Sequence, residues 1–241
     1  MAENFSYTAS KSLPNGIGAT KFDRIFEIGC GIADPNRGLT AEKSAWYVFV
    51  NAWNGLAYRL IAAKSYSDAF RESLQNSSMQ DRYVQDHSLF GFTISALSSI
   101  ECAYMATYGL GAMLRLEHFP VAKENDLKKM PTDIVMSFQK FCPSSPLTKA
   151  LAKISTSPSY EELCNLRNAL SHRGALGRQS QLSTHQNLPQ LIPANPKALA
   201  ATFNYDIEFV PELTEKKLEW VTQSVSFIMD EISDFLAATK M

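Results

Sequence analysis

At 241 residues, with 45% hydrophobic, 20% charged and 11% aromatic positions, the chain has the composition of an ordinary folded protein; collagen-like, intrinsically disordered and small disulfide-stapled classes are excluded. Its 23 Lys+Arg against 24 Asp+Glu leave a net charge of −1. That removes the broad electrostatic footprint needed on duplex nucleic acid or an anionic membrane, so any anion site must be local.

Residues 1–39 are rich in Gly, Pro, Asn and Ser around one short apolar run at 25–32, and read as an irregular N-terminal arm holding a strand or a helical turn. Thr40, Glu42 and Lys43 then open a stretch in which Trp46, Phe49, Val50, Trp53, Leu56 and Leu60 recur at three-and-four spacing. This predicts an amphipathic helix that continues toward Phe70 and Leu74. A second long helix is expected from about residue 86 to Leu114. Glu101 is the only charged residue between 90 and 114, a length that could span a bilayer, but the Ser and Thr content favours a central helix buried in a bundle.

A charged connection follows at 120–131, then shorter helices at 132–141 and 145–154. Ser159 and Glu162 have capping-box spacing and predict a helix that runs to a stop at Gly174. Residues 175–213 are rich in Gln, Ser, Asn and Pro, with a short strand expected at 201–210. A last helix begins at Thr214. The expectation is an all-α helical bundle, one domain over 1–241, with a core at about 40–174 and 214–239 and an irregular insertion at 175–213.

Two motifs carry chemistry. Phe26-Glu27-Ile28-Gly29-Cys30-Gly31-Ile32-Ala33 is similar to the glycine-rich first motif of S-adenosylmethionine-dependent methyltransferases, although Ala33 replaces the usual last glycine and no second strand follows. That alternative requires a loop at 29–31 facing a cofactor-sized pocket; otherwise the segment is a surface turn.

The second is Arg167-Asn168-Ala169-Leu170-Ser171-His172, with Arg173 next in the chain. It resembles the Arg-x(4–6)-His motif of the HEPN superfamily, helical domains in which a polar residue directly after the Arg is characteristic. The resemblance implies a metal-independent endoribonuclease of the kind used in toxin–antitoxin or phage-defence systems. RNA or a nucleotide would be its ligand, a homodimer would carry a composite site, and an antitoxin or other protein would be a possible partner. A non-catalytic nucleotide- or protein-binding dimer of the same fold is the alternative. So is a plain helix end, with His172 and Arg173 set against the helix dipole and Gly174 after it.

The residue types suit the chemistry. An imidazole titrates near neutrality and serves proton transfer, and a guanidinium stays charged and bonds phosphate oxygens in pairs. Arg167 and His172 are therefore the candidate catalytic residues, with Asn168 and Arg173 in support. On a continuous helix the first two point about 140° apart. They converge only if the helix unwinds after Ser171 or if two subunits share the pocket. Glu101, partly buried by its neighbours, needs a partner, and Arg167 is the one expected; a Ser, Tyr or backbone network would serve as well. Asn51 and Asn54 are candidates for the same polar cluster.

His87, His118 and His185 have no ligand at i+3 or i+4, so no metal or other cofactor is indicated. The cysteines are scattered without a CxxC pair, and the chain opens with no signal-peptide pattern. A reduced, cytoplasmic protein with no membrane partner is expected.

Overall fold

The structure, a computed structural model, describes residues 12–33, 43–75, 78–172 and 209–238. Among these it is an all-α helical bundle. The helices are α1 (Ala19–Ala33), α2 (Lys43–Ser73), α3 (Met79–Leu114), α4 (Pro131–Phe141), α5 (Pro146–Ser155), α6 (Pro158–His172) and α7 (Glu212–Ala238), with one 3-10 turn at Glu124–Leu127.

The frame is a hairpin of α2 and α3. Tyr66 meets Gly91, Cys102 meets Gly55 and Phe49 meets Gly109, so one helix descends as the other climbs. The approach is closest at Gly109, where a Cβ would stand 2.6 Å from the Phe49 backbone nitrogen; only glycine fits there. α3 starts seven residues earlier than the apolar pattern implied. Its first turn is polar and is fixed by a capping box: the Ser78 hydroxyl accepts from Asp81 N (3.1 Å), and the Asp81 carboxylate accepts from Ser78 N (3.0 Å).

Leu89, Phe92, Ala96, Ile100, Ala103, Tyr104 and Tyr108 of α3 are all buried. It is the one described helix long and apolar enough to cross a membrane, and the surrounding bundle accounts for its apolar residues. The Tyr104 hydroxyl donates to the Leu151 carbonyl (2.5 Å) and the Tyr108 hydroxyl to the Pro120 carbonyl (2.8 Å), tying α3 to α5 and to the connection after it.

The N-terminal arm is not wholly irregular. α1 occupies its middle, with Phe22, Ile25, Gly29 and Ile32 buried on one face. Phe22 stacks on Trp53 at 4.4 Å, and Lys21 pairs with Asp230 of α7. The Gly29-Cys30-Gly31 sequence is therefore helical, and a Cβ at Gly29 would stand 2.3 Å from the Phe49 ring. Close helix packing explains that glycine, and the loop required by the methyltransferase alternative is absent.

α4, α5 and α6 each begin on a proline, which donates no N–H and is preset for a first helical position. α6 is capped by Ser157, whose hydroxyl accepts from Tyr160 N at 3.2 Å, so the expected Ser159–Glu162 box gives way to a cap two residues earlier. α7 starts at Glu212, two residues before Thr214, and the buried Ser67–Thr214 hydrogen bond (2.9 Å) fastens it to α2. The strand expected at 201–210 lies almost wholly outside the described residues, as do Thr40 and Gly174; Phe209 and Val210 are not in a strand.

Candidate functional site

α6 turns Leu163, Leu166 and Ala169 into the core. A second stripe, at i, i+4 and i+7, consists of Tyr160, Cys164 and Arg167, and it meets Glu101 of α3, since both Tyr160 and Cys164 feel the Glu101 charge. Arg167 is half-buried. Its Nε–H donates to the Asn168 side-chain oxygen at 3.0 Å, so the polar residue after the arginine holds the guanidinium.

Burial pushes the Glu101 carboxyl above its ordinary range, and the Arg167 charge pulls it part of the way back. The two groups interact through space, with no ion pair within 4 Å between them. Burial also raises the Cys164 thiol, opposed by Tyr160 and Arg167, and it raises the Tyr160 hydroxyl, reinforced by Cys164 and Glu101. Arg167 is the cation that opposes the effect of burial at both Glu101 and Cys164.

His172 is the last residue of α6, and the helix does not unwind before it. Positions 167 and 172 are therefore about 140° apart around the helix axis. Arg173 lies outside the described residues. Of the expected supporting residues, the structure brings Glu101 and Asn168 to Arg167. Asn51 lines the same groove as Glu101, whereas Asn54 is half-buried outside that lining.

This groove, of about 840 Å³, lies between the first half of α2, the middle of α3 and residues 121–131. On its floor Ser98, Glu101, Cys102 and Met105 form a half-open strip along a helix that is otherwise mostly buried. Arg59 and Lys129 also line it. The Cys102 thiol is raised by burial, lowered by Arg59 and raised by Glu101. The recurrence of Ser98, Glu101 and Met105 at helical spacing was visible in the sequence; the role of Lys129, on a connection distant in sequence, was not.

A second groove, of about 770 Å³, lies between α2, α7 and residues 14–16. Both of its cations are paired: Lys64 with Asp68 at 2.6 Å, and Arg71 with Asp68 at 3.1 Å and Glu215 at 3.4 Å. Among the described residues, no group of three or more His, Cys, Asp or Glu side chains is arranged to hold a metal ion. Compared with family models, curated proteins and solved structures, the chain has no match.

Proposed function

We propose that the protein is a metal-independent endoribonuclease of the HEPN type, acting through Arg167 and His172 in a composite site between two copies of the chain. The observation that carries this is the setting of Arg167. It is half-buried, oriented by Asn168 and faced by the desolvated Glu101, on a helix that continues to His172.

In the reaction the RNA 2′-oxygen bonds to phosphorus and the bond to the 5′-oxygen breaks. The proton lost from the 2′-hydroxyl is matched by one gained at the 5′-oxygen, and a 2′,3′-cyclic phosphate remains. Arg167 meets the charge that develops on the phosphorane oxygens, where a fixed cation in a partly dry site acts most strongly. His172 takes or gives the proton. Glu101 acts through Arg167 as a positioning residue. With positions 167 and 172 about 140° apart on one continuous helix, each proposed site takes the histidine that completes it from the second copy.

The test is cleavage of single-stranded RNA in EDTA by wild type, Arg167→Ala and His172→Ala. Each variant is expected to lose about 100-fold or more in rate. Cleavage that persists unchanged in both, or that requires a divalent metal, overturns the mechanism. Nucleotide binding that survives His172→Ala in a chain that cuts nothing points instead to the non-catalytic dimer.

A further inference from the structure

Glu101 faces two environments. On the α6 side it feels Arg167, and on the α2 side it lines the groove of about 840 Å³, a size within the range of small-molecule sites. The groove combines apolar walls with a few convergent polar groups. Tyr47, 58% exposed, offers a ring, and Asn51 offers an amide. Lys128 is already paired with Glu124 at 2.7 Å. Lys129 and Arg59 have no carboxylate within ion-pair distance among the described residues, although Arg59 also lies over the Tyr58 ring. The groove thus sets two cations against one carboxylate.

A matching ligand has a flat ring, an anionic group and N–H donors for the carboxylate. We propose that this groove is a guanine-reading subsite, in which Glu101 accepts from guanine N1–H and N2–H while Tyr47 packs on the ring and Lys129 meets a phosphate. The identity of the ligand as RNA rests on the ribonuclease proposal; the preference for guanine rests on the groove. Guanine alone presents two adjacent donors on its pairing edge, matched to two carboxylate oxygens. Adenine and cytosine pair one donor with an acceptor, and uracil flanks its single donor with acceptors, so each would turn a lone pair toward Glu101.

The experiment titrates GMP, IMP and AMP into the full chain by calorimetry, with circular dichroism to verify folding of each variant. IMP differs from GMP only in lacking the 2-amino group. GMP is expected to bind at least about tenfold more tightly than the other two, and Glu101→Gln to reduce that preference to about twofold or less. Asn51→Ala, on an exposed position of α2, should weaken GMP while leaving the helix intact, and Lys129→Ala should weaken all three nucleotides alike. Equal affinities, absence of saturable binding at millimolar nucleotide, or groove variants that alter the oligomeric state while GMP binding is unchanged would overturn the subsite. Because binding is read without turnover, the two proposals separate. Selective GMP binding without RNA cleavage retains the subsite and removes the nuclease; cleavage without guanine preference does the reverse.

Discussion

At Glu101, burial and pairing pull in opposite directions, and burial wins, since the carboxyl is raised despite the nearby Arg167. The consequence for stability has a definite sign. A folded-state value above the ordinary 4.5 means that the native chain holds more proton than the unfolded chain across the interval between them. This contribution to stability is fully present below that ordinary value and is lost as pH rises through the folded one. Glu101→Gln, of nearly the same shape and never charged, should therefore be more stable than wild type at neutral pH, with the gap closing in acid. Urea denaturation of both proteins at about pH 7 and about pH 4 measures it; a gap of equal size at both would show that the charge is not the cause. Arg167→Ala, by removing the compensating cation, should carry the loss of stability with pH to still higher values. A carboxyl placed where burial opposes its charge carries a stability cost that the proposed function would account for.

Among the helices, the boundaries test which local interactions set the fold. Ser157 caps α6 and Ser159 does not, so Ser157→Ala should cost about 1 kcal/mol in a urea midpoint and Ser159→Ala close to nothing. The reverse order would reinstate the Ser159–Glu162 box. The α2–α3 contact is more demanding. At Gly109 the obstruction is Phe49 backbone, which cannot swing aside, so Gly109→Ala should cost about 2–3 kcal/mol. Gly91→Ala meets only the Tyr66 ring at 2.6 Å and should cost less, as parallel denaturation curves would report.

These glycines also explain where the sequence was misleading. The long apolar periodicities of α2, α3 and α7 were legible because a helix buries whole stripes at three-and-four spacing. α1 has the same spacing at Phe22, Ile25, Gly29 and Ile32, but Gly29 and Gly31 read equally well as a loop. What requires a glycine at 29 in this helix is the ring of Phe49 twenty residues away, a contact with no local signature. The site divides in the same way. Glu101 stands out as the one charge in a long apolar stretch and Arg167 by its spacing to Asn168 and His172, whereas Lys129 and Tyr47 acquire meaning only once the connection at 121–131 folds over α2 and α3.

For the whole molecule, a net charge of −1 and a phosphate-binding role are compatible only if positive charge is concentrated. Arg167 acting on Glu101, together with Arg59 and Lys129 in the groove that Glu101 lines, is the concentration that the proposed sites call on. Sharing the site between two chains has a consequence that neither fold nor charge can imitate. If each site takes Arg167 from one copy and His172 from the other, Arg167→Ala and His172→Ala are both inactive alone but complement each other when mixed. In an equal mixture that exchanges subunits freely, half of the dimers are mixed, and each mixed dimer holds one intact site and one doubly disabled site. About a quarter of wild-type activity should then return, since the symmetry of the dimer fixes the pairing. RNA cleavage measured before and after subunit exchange reads this directly. No recovery, with exchange verified by mass-tagged chains, would place both residues of a site in the same chain and require α6 to break between them.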